Sequence, residues 1–484
     1  NLVNLKGIDL NFCENLVEVP DLSMATNLQV VTLYECKSLR QVHPSILSLP
    51  RLEVLDLQGC TEIQSLQSDV PLESLQNLRL SKCSSLKEFS VSSVKLENLW
   101  LDGTHIQELP PSVWRSAKLG LLNVKDCDNL DSFGVKFSYD PKTACVQILV
   151  LSGCKQLCAS NLHFILDGLP SLTYLELEYC CNLRMLPDSI GLLSSLEELK
   201  LSGSNVESLP ASIKNLSKLC NLYLDNCMNL MSLPELPLSL QLLSATNCTS
   251  LVASFTQLSC LSIPFNSVLV PGDHVPHWFS FHAEGASVTI PHLPHAGLCG
   301  FVFCVVLSRP LSNGKYLYVD YFIYKNSKRV DGQKIISLFE LNLTMDHVFL
   351  WFVDITEDGA DSVLMRLLKG EAFDPPKISF KFLSEYEDRK WSTKMIKGCG
   401  VYPIYASEQK GLELKFGVGD SSRDIVELEP DNSNDIDGLQ FKGSNHNSED
   451  SQTTKLEEVV HQIITTGLKH VKVDSNENSC HDFV

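Results

Sequence analysis

Leucines recur along the first half of the chain in a frame that returns after every 21 to 27 residues. In one representative copy the apolar positions are Leu52, Leu55, Leu57 and Ile63, with Cys60 between the last two. The L-x-L part of each copy alternates apolar and other residues, which is typical of a short β-strand with one buried face. Eleven copies keep the frame, and they begin at Leu5, Leu28, Leu52, Leu75, Leu96, Leu119, Val146, Leu172, Leu196, Leu219 and Leu240.

The length of this repeat indicates how the copies pack. A period of 20–29 residues with this leucine pattern is that of a leucine-rich repeat. One such unit cannot bury its leucine row alone, so neighbouring units are expected to stack. Residues 1–262 are therefore predicted to form an α/β leucine-rich-repeat solenoid, with a parallel sheet on the concave face and an irregular convex side.

A cysteine follows most of the predicted strands at a fixed position, and Thr104 and Ser204 replace it in two copies. The spacing of parallel strands is compatible with disulfides, but side chains in such a column point inward in parallel, beside backbone carbonyls. We interpret the cysteines as small buried residues with free thiols, which indicates a reducing compartment. They are Cys13, Cys36, Cys60, Cys83, Cys127, Cys154, Cys180, Cys227 and Cys248.

The residues between the buried leucines are predicted to project from the concave face. Exposed aromatic side chains among charges of both signs are typical of protein interfaces. The alternative is that these side chains pack on each other across neighbouring strands. The candidate partner-binding residues are Tyr34, Asp56, Arg79, Trp100, Tyr174, Glu176, Glu178, Tyr179, Lys200, Tyr223 and Asp225.

The pattern changes at about residue 263, where short apolar strands alternate with Gly, Pro and Asn turns. Several such strands without a helical period predict an all-β sandwich over 263–407. Residues 408–484 contain 16 acidic and 7 basic residues and are predicted to be a mostly disordered acidic tail, with a short amphipathic helix near Leu456–Lys469. The predicted strands of the sandwich are Val268–Val270, Ser287–Ile290, Gly300–Leu307, Tyr316–Tyr324, His347–Asp354, Ile378–Leu383 and Gly400–Tyr405.

Charge and hydropathy exclude two classes of partner. The chain carries 39 Lys and Arg against 58 Asp and Glu, a net charge of −19, which argues against a nucleic-acid or polybasic membrane partner because both need positive surface. The longest apolar stretch, Leu298–Ser308, is about half the length needed to cross a bilayer. Because Asn1 already lies inside a repeat, we expect the chain to be the C-terminal part of a longer protein.

The sequence contains no motif that predicts catalysis. Five histidines, His274, His277, His282, His292 and His295, lie close together, but no H-E-x-x-H or Cys/His pairing accompanies them, so surface histidines are predicted rather than a metal site. No phosphate-binding loop, nucleophile elbow or paired-carboxylate signature was found. We therefore predict no catalytic, cofactor-binding or metal-binding residues in this chain.

Three features together resemble the C-terminal part of plant disease resistance proteins of the TIR-type nucleotide-binding leucine-rich-repeat (TIR-NB-LRR) family. They are the Cys-ended repeat frame, L-P-x-S-I returns such as Leu186–Ile190, and the P-G-x-x-V-P-x-W-F segment within Val270–Phe279. The resemblance extends over roughly residues 1–407. It implies that 263–407 is the family's post-repeat (C-JID) jelly-roll and Ig-like domain.

The resemblance also implies a function. In the family, the repeats and the sandwich recognise a pathogen effector protein inside the cell, in the cytoplasm and also in the nucleus. Recognition then acts on the receptor's own NB-ARC domain and triggers a TIR NAD+ hydrolase, with oligomerisation through those domains. Their ATP and NAD chemistry is not expected from this chain, so no cofactor is expected either.

Two alternatives to a receptor fragment remain open. One is a protein-interaction module of a truncated paralogue, and the other is a cell-surface receptor ectodomain. Glycosylation sequons at Asn215, Asn247 and Asn342 are compatible with export. The unpaired cysteine column and the absence of the N-x-L-x-G-x-I-P frame of extracellular plant repeats argue against it.

Overall fold

The structure is a computed structural model that describes residues 2–68, 70–114, 116–131, 145–251, 267–291, 293–294, 297–308, 316–325, 328–331, 336–339, 343–355, 377–386 and 393–405. The chain divides into two compact units, Asn1–Gly419 and Asp420–Val484, and all described residues lie in the first. The tail predicted for 408–484, with its helix at Leu456–Lys469, lies outside the described residues, as do His292 and His295.

Each repeat contributes one three-residue strand to a parallel sheet, in which every strand pairs with that of the next repeat. This confirms the predicted stacking of the leucine-rich repeats. The strands are β1 (Gly7–Asp9), β2 (Val30–Thr32), β3 (Val54–Asp56), β5 (Asn77–Arg79), β7 (Asn98–Trp100), β8 (Leu121–Asn123), β9 (Ile148–Val150), β10 (Tyr174–Glu176), β11 (Glu198–Lys200), β12 (Asn221–Tyr223) and β13 (Leu242–Ser244).

The middle residue of each strand points into the solenoid. From Val31 to Leu243 these residues are at most 1% exposed, and they belong to one continuous hydrophobic cluster. The first and third residues of each strand point to the opposite face, because successive side chains alternate across a strand. The leucine period thus determines which side chains the concave face presents.

A left-handed turn follows each strand. The residue before each Cys, Thr or Ser of the column has a positive φ, a conformation that costs a residue with a side chain more than it costs glycine. These residues are Phe12, Glu35, Lys82, Asp126, Tyr179, Asn226 and Asn247, with Gly59, Gly103, Gly153 and Gly203 in the other repeats.

The cysteine column is a ladder of hydrogen bonds between repeats. The Sγ of Cys60 donates to the carbonyl of Leu33 at 3.1 Å, and that of Cys127 donates to Leu101 at 3.2 Å. The nine cysteines of the column are free, as the sequence predicts. Burial raises the pKa of Cys127 to about 11, which keeps this thiol protonated as a donor at neutral pH.

The convex side is irregular. It carries 3₁₀ turns at Leu2–Asn4, Ile46–Ser48, Asp188–Leu192 and Ala211–Asn215, and the parallel pair β4 (Ser65–Gln67) and β6 (Glu88–Ser90). Two α-helices occur among the described residues there, α1 (Pro111–Trp114) and α2 (Ala159–Leu166).

The repeat sheet continues into the C-terminal region. β14 (Ser267–Pro271) pairs in parallel with β13, so the sheet crosses residue 263, where the sequence pattern places a domain boundary. Antiparallel strands then extend it, and a second sheet lies beside it. The extension is β21 (His347–Asp354), β17 (Leu298–Leu307), β23 (Ile396–Tyr405) and β15 (Phe281–Glu284); the second sheet is β16 (Ser287–Ile290), β22 (Ile378–Tyr386), β18 (Tyr316–Lys325), β19 (Lys328–Asp331) and β20 (Ile336–Phe339).

The two sheets share an aromatic core. The ring of Phe303 lies 5.4 Å from Trp351 of its own sheet and 5.0 Å from Phe380 of the other, measured between centroids. All seven strands predicted in this region lie within observed strands. Three strands, β15, β19 and β20, were not predicted.

Candidate functional site

The concave face is formed by three columns of side chains. The first and third strand residues supply two columns, and the residue two positions after each strand supplies the third. Strand register aligns the second column as predicted, and backbone hydrogen bonds between successive turns align the third. The second column is Asp9, Thr32, Asp56, Arg79, Trp100, Asn123, Val150, Glu176, Lys200, Tyr223 and Ser244; the third is Asn11, Tyr34, Gln58, Ser81, Asp102, Lys125, Ser152, Glu178, Ser202, Asp225 and Thr246.

Three predicted site residues form one group on strands β3, β5 and β7. The Nη1 of Arg79 lies 3.5 Å from the Oδ2 of Asp56, and the guanidinium lies 4.8 Å from the ring centroid of Trp100. Burial raises the pKa of Asp56, although the amide of Gln58 and Arg79 act in the opposite direction. The sheet thus holds a cation between a carboxylate and an aromatic ring.

The expected exposure of two aromatic residues is wrong. Trp100 is 5% exposed and Tyr174 is 3% exposed. Neighbouring strands are only about 4.8 Å apart, so a long side chain on one strand covers the ring on the next. Arg79 does this to Trp100, and Lys200 does it to Tyr174. These two rings therefore pack against side chains of neighbouring strands, which was the alternative to an exposed position.

Glu176 is the centre of a second group. It is 9% exposed, and its carboxylate accepts hydrogen bonds from Tyr174 Oη at 2.7 Å and Ser152 Oγ at 2.8 Å. The Nζ of Lys125 lies 3.8 Å from the same carboxylate. Burial, together with the charge of Glu176, raises the pKa of Tyr174 far above its usual range, so Tyr174 remains a hydrogen-bond donor.

Lys200 joins this group to the next repeat. Its Nζ lies 5.2 Å from the ring centroid of Tyr174 and 5.3 Å from that of Tyr223, and 3.0 Å from Glu198 Oε1. Glu198 is 2% exposed, and sequence reasoning missed it. The sequence could have indicated Glu198, because the first residue of a strand faces the same side of the sheet as the third.

Glu178 and Tyr179 stand at the turn after β10. Burial and the charge of Glu176 raise the pKa of Glu178, and Lys200 and Lys125 lower it. Tyr179 is 62% exposed with φ at +56°. Its ring lies across Gly203, where a Cβ atom would stand 2.5 Å from the ring. Tyr179 is therefore an exposed aromatic ring whose position depends on the next repeat.

The remaining predicted residues lie toward the two ends of the sheet. Asp225 Oδ1 accepts hydrogen bonds from Ser244 Oγ at 2.6 Å and from the amide and hydroxyl of Thr246 at 2.8 and 2.7 Å. Tyr34 is half-buried and packs edge-on against Phe12, with centroids 5.1 Å apart. The predicted residues thus form separate neighbouring groups along one face and not a single pocket.

Most charged side chains of this face are held by their neighbours. Its carboxylates, lysines and tyrosines are held by hydrogen bonds and ion pairs before any partner arrives, which lowers the cost of ordering them on binding. Within the described ranges, no three His, Cys, Asp or Glu residues are placed to hold a metal ion. In the same part of the chain, no helix is both long and apolar enough to span a bilayer.

The stacked strands and the buried leucines define a leucine-rich-repeat fold. Residues 141–269 match the family model described as a leucine-rich repeat region. The resemblance to plant disease resistance proteins is confirmed by curated relatives, most of which carry resistance in their names.

Three relatives illustrate the similarity. The chain is 35% identical over 490 residues to Protein SUPPRESSOR OF npr1-1, CONSTITUTIVE 1 of Arabidopsis thaliana, covering 88% of this chain and 32% of that protein. It is 32% identical to Disease resistance protein RPS4B of Arabidopsis thaliana, covering 63% and 28%. It is 32% identical to TMV resistance protein N of Nicotiana glutinosa, covering 49% and 25%. The chain thus spans between a quarter and a third of the length of these relatives.

Proposed function

We propose that this chain recognises a pathogen effector protein through its concave face, as the recognition module of an intracellular plant immune receptor. The observation that carries the proposal is the ordered polar and aromatic face of the repeats, from Asp56 to Asp225, in a chain similar to plant resistance proteins. The chain acts by binding and not by catalysis.

The proposal includes how recognition is transmitted. By analogy with the family it resembles, effector binding acts on a nucleotide-binding NB-ARC domain and a TIR domain of the same receptor, and oligomerisation occurs through those domains. The strands after residue 263 are assigned to the family's jelly-roll and Ig-like C-JID domain. They stand directly beside the last repeat, because β14 pairs with β13, and so they are placed to contribute to recognition.

We assign the protein to the cytoplasm, with the nucleus as a further compartment. The free thiols of the ladder support a reducing environment. The sequon at Asn247 gives no support to a cell-surface ectodomain, because Asn247 is 3% exposed. The side-chain Nδ2 of Asn247 donates a hydrogen bond to Asn226 Oδ1 at 3.1 Å. The folded protein therefore leaves no room for a glycan on this nitrogen.

The experiment is a pull-down of candidate effector proteins with the full chain. The double variant Tyr179→Ala/Tyr223→Ala should lose an effector that the unchanged chain retains, because aromatic residues contribute strongly at interfaces. Phe164→Ala, on helix α2 of the convex side and 42% exposed, is the matched control and should retain it. An effector retained equally by both variants contradicts binding at the concave face.

A further inference from the structure

The concave face has an excess of negative charge. Its three columns carry seven carboxylates and three cations among the eleven repeats. The cations are Arg79, Lys125 and Lys200, and the carboxylates are Asp9, Asp56, Asp102, Glu176, Glu178, Glu198 and Asp225.

Every cation of this face already has a carboxylate partner on it. Arg79 pairs with Asp56 at 3.5 Å, and Lys125 pairs with Glu176 at 3.8 Å. Lys200 pairs with Glu198 at 3.0 Å. The positive charge of the face is therefore directed at its own side chains, so it is poorly available to an anionic partner.

The other four carboxylates are held chiefly by uncharged donors. Asp102 accepts hydrogen bonds from Ser81 Oγ at 2.6 Å and Asn123 Nδ2 at 3.2 Å. Asp225 accepts three hydrogen bonds from Ser244 and Thr246. Among the described residues, no ion pair within 4.0 Å is found for Asp9, Asp102, Glu178 or Asp225.

Two of these carboxylates are held in a partly dehydrated environment. Burial is the largest cause of the raised pKa of both Asp102 and Glu178. An approaching cation favours the charged form of such a group. Asp102, Glu178 and Asp225 stand in one column, and the strand spacing of about 4.8 Å puts neighbours in this series roughly 10 to 15 Å apart. That spacing suits several side chains of one protein surface.

We propose that the partner docked on the concave face is a protein surface carrying Lys or Arg side chains, which reach Asp102, Glu178 and Asp225. The face has a surplus of four negative charges, which are complementary to a positively charged protein surface. This inference rests on the proposed function, because it assigns the chemistry of the partner at the same face. Nucleic acids and anionic lipids have the wrong sign for it.

The test uses the full chain and a fluorescein-labelled peptide of arginine, glycine and serine, followed by fluorescence anisotropy at low salt. The variant Asp102→Asn/Glu178→Gln keeps side-chain size and removes two charges. Because exposed ion pairs contribute only modestly to binding, we expect the double variant to bind the peptide about fivefold more weakly. A glutamate-containing counterpart of the peptide should not bind.

The control variant is Glu108→Gln/Asp188→Asn, which removes the same charge from two exposed residues of the return segments outside the concave columns. It should bind the arginine peptide nearly as well as the unchanged chain. Equal weakening in both variants would show attraction to net charge alone and overturn the inference, as would equal affinity for the glutamate peptide.

The two proposals fail in different ways. An effector that is lost by Tyr179→Ala/Tyr223→Ala but retained fully by Asp102→Asn/Glu178→Gln would overturn the basic-partner inference and leave effector recognition standing. An effector retained by both double variants would count against binding at this face altogether.

Discussion

In some of the left-handed turns, the side chain at the positive-φ position packs against the glycine at the same position of the next repeat. A Cβ atom on Gly59 would stand 2.7 Å from Glu35 Oε1, and one on Gly203 would stand 2.5 Å from the ring of Tyr179. In these copies, one repeat has a projecting side chain at the turn position, and the next repeat has a glycine that leaves space for it. Single residues therefore set the position of exposed groups that the leucine period leaves undetermined.

Gly203→Ala tests this arrangement against Gly103→Ala, which occupies the same turn position at φ +68° with its nearest neighbour at 3.6 Å. Both variants strain a left-handed residue, by about 1–2 kcal/mol. Only Gly203→Ala also displaces the exposed ring of Tyr179 from its rotamer, so we expect a further loss of about 0.5–1.5 kcal/mol. Urea unfolding measures the difference, and equal losses in the two variants would contradict the contact with Tyr179.

The strand is the element that sequence predicts best here. Its three residues repeat with the leucine period, so the register that aligns Asp56 with Arg79 could be derived from the sequence alone. The burial of Trp100 could not be derived from the sequence, because Arg79 of the neighbouring repeat covers its ring. Periodicity gives the direction of a side chain, whereas its exposure depends on the length and charge of the side chains beside it.

The cysteine ladder predicts a pattern of thiol reactivity. Burial raises the pKa of Cys83 and Cys180 to about 12, so the reactive thiolate is scarce in the folded protein. Cys181, directly after a ladder residue, is exposed. Iodoacetamide should therefore label Cys181 in the native chain and spare Cys83 and Cys180, as read by peptide mass spectrometry.

Denaturation without reductant is the control for that labelling. All ladder cysteines should then react, because these nine thiols are free. Protection that persists in denaturant would indicate disulfides and reverse the assignment to a reducing compartment.

At the scale of the whole first unit, the repeats and the C-terminal strands are joined by more than sheet pairing. The amide of Asn247, in the last repeat turn, donates to His347 Nε2 at 2.8 Å, and Asn247 Oδ1 accepts from the amide and hydroxyl of Thr344 at 2.8 and 2.9 Å. These partners are about a hundred residues apart in sequence. No local pattern in the sequence predicts such a contact, because its partners are distant along the chain.

His347 makes this junction sensitive to pH. It is fully buried, and its Nδ1 lies 2.9 Å from the carbonyl of Met345. Nδ1–H therefore donates there while Nε2 accepts from Asn247, an arrangement that needs the neutral ring. Burial lowers the pKa of His347 below 6.5, although Asp225, Asp346 and the bond to Met345 act in the opposite direction.

The direction of the pH effect follows from this lowered pKa. The unfolded chain binds the proton first as pH falls, so the stability contributed by the neutral ring is complete above about pH 6.5 and is lost as pH falls toward the lower pKa of the folded state. One such group changes the free energy of unfolding by up to about 1.4 kcal/mol per pH unit. His347→Gln, which cannot titrate, should flatten the pH dependence of urea unfolding in this window, and the same replacement at the exposed His277 is the matched control. Equal slopes for the unchanged chain and His347→Gln would contradict a neutral histidine at the junction.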